Sequence, residues 1–201
     1  MVKIIHRTND KVRLIEYEQY QMEREGKMRV IIETERLIIR NLRPGDEHAV
    51  FAWAGDPDVA KYMIYPQYNS EADGIEWLKD RQLKADDPND YDLGFVLKET
   101  GELIGGGGLV YHPDIDVWRI GYNLRKDAWG NGYVMEALTA IMDEIRKTRK
   151  IRAIEGLFAV ENYKSQRVME KLGMTFVEDT EYEKFDGSAH FLAKKYRRVF
   201  E

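Results

Sequence analysis

The chain has 201 residues, a net charge of −5 and no cysteine. Its length and its 43% hydrophobic content suit one domain with a core of ordinary size. The lack of cysteine excludes disulfides, cysteine nucleophiles and cysteine-ligated zinc. No apolar run approaches the roughly eighteen residues of a membrane span, and charged side chains interrupt the first twenty positions, so we expect a soluble cytoplasmic protein.

The acidic charge is concentrated beyond the first thirty residues, where 24 basic side chains stand against 31 acidic ones. An acidic body argues against nucleic acid as the main ligand. It favours either a cationic partner, such as an amine or a basic peptide, or simply a surface that keeps the protein soluble.

An amphipathic helix is predicted near the N-terminus. Apolar side chains recur there at helical spacing among many charged ones, at Val12, Ile15 and Met22, and Gly26 ends the pattern. Residues 1–29 therefore form a predicted helical extension to a main domain of residues 30–201. One interpretation is that this helix swaps onto a partner chain, as in a homodimer.

The first half of the main domain begins with a strand, continues with two helices and returns to strands. The predicted elements are a strand at Ile31–Arg40, a helix from Pro44-Gly45-Asp46 past Trp53, a helix at Glu71–Lys84, and strands at Tyr91–Lys98, Leu103–Tyr111 and Val117–Leu124. Glu99–Glu102 signals a hairpin. The run Gly105–Gly108 lies inside a strand pattern with no helix after it, which favours a bulge or close backbone packing over a phosphate site.

The second half contains the clearest helix of the chain. The predicted elements are a helix at Trp129–Lys147, a strand at Ile151–Val160, a helix at Asn162–Leu172 with Gly173 after it, and strands at Met174–Thr180, Tyr182–Phe185 and Ala189–Tyr196. This order of elements predicts a mixed α/β sheet layered by helices.

Residues 124–137 join a strand end, a loop with two glycines and a helix start. The first amides of a helix have no intrahelical acceptor and lie at the positive end of its dipole. Gly130 and Gly132, without side chains, would let a phosphate approach these amides closely. The stretch predicts either an anion site or an ordinary turn. It lacks Gly-x-x-x-x-Gly-Lys, and Met135 stands where a dinucleotide-binding loop needs its third glycine.

The same stretch resembles the acyl-CoA loop of GNAT N-acetyltransferases, whose pattern is Gln or Arg, two residues, Gly, one residue, then Gly or Ala. Trp129-Gly130-Asn131-Gly132-Tyr133-Val134 aligns with it. Gly132 fits the central glycine, whereas Trp129 and Val134 depart from the pattern. Trp129 together with Glu136-Ala137 is similar to the branch that acetylates ribosomal-protein N-termini.

Further segments resemble the same branch in the same order along the chain. They are Thr34–Arg40, Ile120-Gly121-Tyr122, Ala159–Ser165 and Val168–Met174. The resemblance spans residues 30–196. It implies a GNAT fold, which is a central, mostly antiparallel twisted sheet that splays apart at the CoA site and carries helices on both faces.

The resemblance implies an acetyl-CoA-dependent N-acetyltransferase without a metal, in which a protein N-terminus or a small amine attacks directly in a ternary complex. The implied cofactor residues are Tyr122, Asn123, Leu124, Trp129, Gly130, Asn131, Gly132, Tyr133, Val134, Asn162 and Ser165. A backbone N–H near Tyr122 would face the thioester oxygen, and the Ser165 hydroxyl would lie near the sulfur. Asn162 and Ser165 also fit as a helix cap and an ordinary polar residue.

The general base and acid are not unique in the sequence. An alkylamine with a pKa near 10 must lose a proton before it attacks. Arg119 stands where many relatives carry Glu, and Met169 where many carry Tyr. The remaining candidate bases are His112, Glu102, Glu181 and Glu183. These departures leave open an alternative, a CoA-binding regulatory module with weak or no catalysis.

Aromatic side chains cluster in the helical region that shapes the acceptor side in the family. They are Trp53, Tyr62, Tyr65, Tyr68 and Trp77. They are expected either to be ordinary core or to line the amine pocket.

Overall fold

The structure is a computed structural model that describes residues 30–201, so the helix predicted within residues 1–29 lies outside the described residues. The elements are β1 (Ile31–Glu33), β2 (Leu37–Arg40), α1 (Glu47–Ala54), α2 (Pro57–Ala60), α3 (Glu71–Leu83), β3 (Asp90–Leu97), β4 (Glu102–His112), β5 (Val117–Leu124), α4 (Tyr133–Arg146), β6 (Ala153–Ala159), α5 (Tyr163–Lys171), β7 (Thr175–Glu183) and β8 (His190–Val199). None of these helices is long and apolar enough to cross a membrane.

The eight strands of the described part form one sheet in the order β1-β2-β3-β4-β5-β6-β8-β7. All neighbours are antiparallel except β5 and β6, which are parallel. That parallel pair is joined in register only at Trp118–Ile154 and Arg119–Glu155. The two strands part beyond these residues, so the mostly antiparallel sheet splayed at its centre is confirmed.

Helices cover both faces of the sheet, as predicted. Because side chains alternate along a strand, Leu37 and Ile39 enter one core while Ile38 enters the other. We call the side packed against α4 the α4 face and the side packed against α1 and α3 the α1 face. The α4 face is the larger core and includes Phe95, Leu109, Trp118, Leu138, Ile141 and Ile145. The α1 face includes Val50, Trp53, Leu78, Val96 and Leu103.

The glycine run Gly105–Gly108 lies inside β4 and pairs with a strand on each side. A Cβ atom on Gly107, whose φ is +148°, would lie 2.3 Å from the carbonyl oxygen of Gly121. The pairing of β3 with β4 also shifts between Phe95 and Val96. Of the two predicted alternatives, close backbone packing is confirmed within the run, and the bulge lies directly before it at Ile104.

Three predicted boundaries were wrong. Ile31–Arg40 is two strands, because Thr34 donates its backbone N–H to the Leu37 carbonyl at 3.0 Å and the chain reverses there. Met174–Phe185 contains one strand, β7, which bends at a register shift near Phe176 but stays paired with β8. The long helix begins at Tyr133 instead of Trp129, since a 3₁₀ turn at Lys126–Ala128 and two glycines come first.

Candidate active site at the splayed strands

The β6-facing edge of β5 has no strand partner after Arg119 within residues 30–201. Tyr122, Asn123 and Leu124 lie on this stretch, and their other edge is hydrogen-bonded to β4. A free strand edge offers unpaired backbone groups to an extended ligand. The structure thus provides the backbone edge that the resemblance implies for a pantetheine arm.

The side chains of Tyr122 and Ser165 meet across the splay. The Tyr122 hydroxyl oxygen lies 2.8 Å from Ser165 Oγ, and Asn162 Oδ1 accepts a hydrogen bond from the Ser165 backbone N–H at 3.2 Å. Burial raises the pKa of Tyr122 to about 12, although the hydrogen bond with Ser165 acts in the opposite direction. Tyr122 therefore stays protonated at neutral pH. Asn162 is the N-cap of α5, and its side-chain oxygen already accepts the hydrogen bond from the Ser165 amide.

The loop before α4 contains two glycines in the left-handed conformation and precedes the free amides of the first helical turn. Gly130 and Gly132 both have φ of +81°, a conformation that favours glycine. The first hydrogen bond at the start of α4 runs from the Glu136 amide to the Gly132 carbonyl at 3.1 Å. The amides of Tyr133, Val134 and Met135 precede it and are without an intrahelical acceptor.

The loop is tied to the neighbouring elements by Trp129 and Asn131. The Trp129 indole N–H donates to the Leu124 carbonyl at 3.0 Å, and Lys164 Nζ lies 3.8 Å from the centre of its ring. Asn131 Nδ2 donates to the Ala128 carbonyl at 3.2 Å. Val134 is buried in the core of the α4 face, so it can offer only its backbone to a ligand.

Sequence reasoning missed the roles of Arg36 and Glu136. Arg36 Nη1 donates to the Asn131 carbonyl at 3.0 Å, and its Nε donates to Glu136 Oε2 at 2.7 Å. Although burial acts against it, hydrogen bonds from Thr34 and Arg36 lower the pKa of Glu136. Both residues belong to segments that carry the family resemblance, which was the available signal, but the sequence does not show that the two segments touch.

Arg119 is one of two partly exposed arginines that pair with the buried Glu155. It lies 3.2 Å from Glu155 on the adjacent strand, and Glu155, only 1% exposed, also accepts hydrogen bonds from Arg197. Burial would raise the pKa of Glu155, yet the bonds from Arg197 and Arg119 outweigh it and lower the pKa. A carboxylate held ionised between two guanidinium groups is a weak base.

The structure brings none of the four candidate bases into contact with Tyr122 or Ser165 within residues 30–201. His112 pairs with Val117, at the opposite end of β5 from Tyr122. The other three candidate bases are carboxylates. Glu102 binds Arg125, Glu181 lies 3.4 Å from His190, and Glu183 is on the edge strand β7.

Met169 is a core residue. It is 1% exposed. Its Cε atom packs so closely on Gly156 that a Cβ atom at that position would lie only 2.6 Å from it. A thioether has no proton to donate. The position that carries Tyr in many relatives therefore supplies packing in this chain and no general acid.

The aromatic side chains of this cluster differ in burial. Trp53 is 1% exposed and belongs to the core of the α1 face, whereas Tyr65 and Tyr68 are only partly buried, with ring centres 5.4 Å apart. The segment after α2 is fastened to β7, because Tyr182 donates to the Tyr62 carbonyl at 2.7 Å and Lys184 to the Tyr65 carbonyl at 3.0 Å.

The sequence is similar to known proteins. The family described as acetyltransferase (GNAT) domain matches residues 36–175. The protein YkkB of Bacillus subtilis (strain 168) is 31% identical over 151 residues, which cover 71% of this chain and 84% of YkkB. An uncharacterized N-acetyltransferase, p20 of Bacillus licheniformis, is 28% identical over 143 residues, covering 69% and 79%.

A solved structure extends the likeness to the whole described fold. RimL, a ribosomal L7/L12 alpha-N-protein acetyltransferase in complex with coenzyme A, superimposes with a TM-score of 0.72 at 18% identity, covering 85% of this chain and 98% of RimL. The described residues contain no group of three or more His, Cys, Asp or Glu side chains arranged to hold a metal ion. From the family match over residues 36–175, the chain belongs to the GNAT acetyltransferase family and is an acetyl-CoA-dependent acetyltransferase.

Proposed function

We propose that this enzyme transfers an acetyl group from acetyl-CoA to a primary amine by direct attack in a ternary complex. The observation that carries the proposal is the contact of 2.8 Å between the Tyr122 and Ser165 hydroxyl groups at the splay. This pair lies at the free edge of β5, close to the place where the family binds the thioester.

Acetyl-CoA fits three features of the site. Its pantetheine arm would pair with the β5 edge at Tyr122–Leu124, and its pyrophosphate would lie over the amides of Tyr133–Met135. No atom lies within 4 Å of a Cβ position on Gly130, so the loop is open on that side. Lys164, over the Trp129 ring, adds positive charge beside the loop.

The reaction begins when the neutral amine nitrogen attacks the thioester carbon. A C–N bond forms, negative charge develops on the carbonyl oxygen, and a backbone N–H of the β5 edge stabilises it. The C–S bond then breaks and the electron pair leaves with sulfur. The proton lost by the amine passes to water, since no candidate base contacts the Tyr122–Ser165 pair within residues 30–201.

The hydroxyl pair acts on the leaving group. A free thiol has a pKa of about 8.5, below the pKa of about 12 for Tyr122. A complete proton transfer from Tyr122 to the departing thiolate is therefore unfavourable. Ser165 Oγ instead donates a hydrogen bond to sulfur as charge develops, while Tyr122 donates to Ser165, and solvent finally protonates coenzyme A.

An amine-panel assay tests this function. Purified protein is incubated with acetyl-CoA and with peptides bearing free N-termini, the same peptides with blocked N-termini, and small primary amines. Coenzyme A release and the mass of the acetylated product are measured. Formation of an acetylated amine supports the proposal, and loss of the product from blocked peptides assigns the reaction to the α-amine. If acetyl-CoA binds but no amine in the panel gains an acetyl group, the proposal fails.

A further inference from the structure

A carboxylate lies on the α1 face at the level of the splay. Asp92 on β3 is opposite Gly108 on β4, and Gly108 is opposite Gly121 on β5. Directly paired residues share a face of the sheet, so these three positions form a row across it. Two of the three have no side chain, and Gly121 is exposed with no atom within 4 Å of a Cβ position. The row therefore leads from Asp92 to the free strand edge without an intervening side chain of its own.

One carboxylate oxygen of Asp92 is free to accept a hydrogen bond from a ligand. Its Oδ2 lies 3.1 Å from Arg81 Nη1, and its Oδ1 has no hydrogen-bond partner within residues 30–201. The side chain is 26% exposed, so a small cation can reach it. Arg81 is shared with Asp90 and Asp80, and Lys84 also binds Asp80. The group therefore holds three carboxylates against two cations, which leaves an excess of one negative charge at full ionisation.

Two buried polar atoms on the same side lack partners. The Tyr65 hydroxyl and Asn123 Oδ1 are enclosed and make no hydrogen bond within the described chain. Asn123 lies opposite Gly106, and this pair is two residues along β4 and β5 from the pair of Gly108 with Gly121. Burial, the neighbouring Tyr68 and the charge of Asp92 all raise the pKa of Tyr65. Buried polar groups without partners are rare and indicate a missing ligand or water.

The aromatic side chains suit a cation. Tyr65 and Tyr68 lie as a tilted pair, and Tyr rings attract ammonium groups over their faces. Burial raises the pKa of Asp92 to about 6, with Asp90 adding to the effect and Arg81 opposing it. Asp92 is therefore mostly ionised at neutral pH, two strands from Gly121 at the splay.

We propose that the acceptor carries a second cationic nitrogen, which Asp92 binds on the α1 face, where Tyr65 and Tyr68 also pack, while the first nitrogen attacks acetyl-CoA near Gly121. The proposal rests on the function proposed above and names the class of acceptor. Asp92 is in this view a residue that binds substrate and sets specificity, without taking part in proton transfer.

The sheet sets the separation of the two nitrogens. Neighbouring strands lie about 4.8 Å apart, so the Cα atoms of Asp92 and Gly121 are about 10 Å apart. Strand side chains stand roughly perpendicular to the sheet, so a contact of about 2.8 Å from the Asp92 carboxylate toward Gly121 leaves roughly 7 Å between the nitrogens along the sheet. An extended chain advances about 1.2 Å per bond, so this span corresponds to about six bonds. A linear diamine with about five methylene groups matches it.

The test compares linear diamines from 1,3-diaminopropane to 1,8-diaminooctane with monoamines of the same chain length, using kcat/KM for acetylation. We expect an optimum near 1,5-diaminopentane and 1,6-diaminohexane, about tenfold or more above the matched monoamine. Asp92→Asn should lower kcat/KM for these diamines by about 10- to 100-fold, as expected for a charged hydrogen bond, and leave monoamines unchanged. Asp86→Asn, on an exposed loop position, is the control and should change neither.

The outcomes separate the two proposals. Equal efficiency for diamines and monoamines, or an equal loss for both in Asp92→Asn, would overturn the role of Asp92 and leave the amine acetyltransferase in place. No acetylation of any amine would overturn both. Peptides whose second residue is Lys or norleucine form a further arm, since a preference for Lys assigns the second cation to a peptide and not to a small diamine. A melting temperature of Asp92→Asn close to that of the wild type confirms that the variant is folded.

Discussion

Arg36 and Glu136 are 100 residues apart in the sequence, and in the folded chain Arg36 Nε donates to Glu136 Oε2 at 2.7 Å. The backbone N–H of Arg36 donates to the other carboxylate oxygen at 2.9 Å. Since Arg36 Nη1 also binds the Asn131 carbonyl, the start of β2 fixes both the glycine loop and the first turn of α4. The guanidinium lies 4.7 Å from the centre of the Tyr133 ring, beside the amides proposed to bind pyrophosphate.

Arg36→Gln should weaken acetyl-CoA binding by about tenfold or more, because it removes a positive charge and the support of the loop together. S-acetylpantetheine, which lacks the pyrophosphate, should bind the variant and the wild type alike. Calorimetry with both ligands measures the difference. Arg146→Gln removes an arginine with a local, exposed ion pair at the other end of α4 and is the control for the loss of one positive charge. An equal loss for both ligands would mean that Arg36 only supports the fold.

Ser165→Ala should lower kcat by about 10- to 100-fold, at or below the usual contribution of a general acid. Tyr122→Phe should lower it less, because Tyr122 acts through Ser165. Acetyl-CoA affinity should change little in either variant, since the hydroxyl acts on charge that develops only during the reaction. The measurement is steady-state kinetics with a competent amine where chemistry limits turnover, and an unchanged kcat in Ser165→Ala would exclude this donor.

Gly132→Ala should weaken acetyl-CoA binding while the protein remains folded. Alanine at a φ of +81° costs roughly 1–2 kcal/mol of backbone strain, which moves the loop off the geometry that presents the amides. Gly187→Ala, at a φ of +71° in the β7–β8 turn, imposes comparable strain away from the site and is the control. Wild-type affinity in Gly132→Ala would show that the anion is bound elsewhere.

Acetyl-CoA should stabilise the enzyme. A ligand that binds only the folded state adds about 2.7 kcal/mol at a hundredfold excess over Kd. For a chain of this size, that corresponds to a rise in melting temperature of roughly 5–10 °C. Thermal melts with acetyl-CoA, NAD and ATP provide the comparison. A shift with NAD or ATP and none with acetyl-CoA would contradict the site described above.

The stability difference between Asp92→Asn and wild type should depend on pH. The pKa of Asp92 is raised from 3.8 to about 6, so between these values the folded state binds the proton more strongly than the unfolded state. Wild-type stability therefore gains from Asp92 as pH falls through 6, and it loses that gain as pH rises. Between pH 7 and pH 5 the unfolding free energy of Asp92→Asn should fall relative to wild type by about 1 kcal/mol.

Denaturant unfolding at both pH values measures that difference. The charged and titratable groups that act on Asp92 are Arg81 on α3, Lys84 directly after it and Asp90 on β3, while Asp80 pairs with Arg81 and Lys84, and the charge of Asp92 acts on Tyr65. All of them remain in the variant, so the comparison isolates Asp92. A difference that does not vary with pH would show that Asp92 titrates in the folded protein as it does in the unfolded chain.

The sequence alone determined the order and type of nearly every described element. Apolar periodicity is a local property, and it located α4 from Val134 to Ile145 and β5 from Val117 to Leu124. The glycine loop, the α5 cap at Asn162 and the departures at Arg119 and Met169 were also visible in the sequence, since each is defined by the residue type at one position. The boundaries that failed at Thr34 and before Tyr133 lie at turns, where polar and glycine residues reverse the chain and apolar periodicity carries no signal.

Only the tertiary structure decided which side chains meet. The Tyr122–Ser165 contact, the ion pairs of Arg36 with Glu136 and of Arg119 with Glu155, and the row from Asp92 to Gly121 each join elements that are distant in the sequence. Their formation depends on strand order and register, and register sets which face every side chain occupies, because a shift of one residue would turn each to the opposite side. No local pattern encodes that choice. Packing of the two cores against the sheet selects it, and with it the groups that surround the reacting amine.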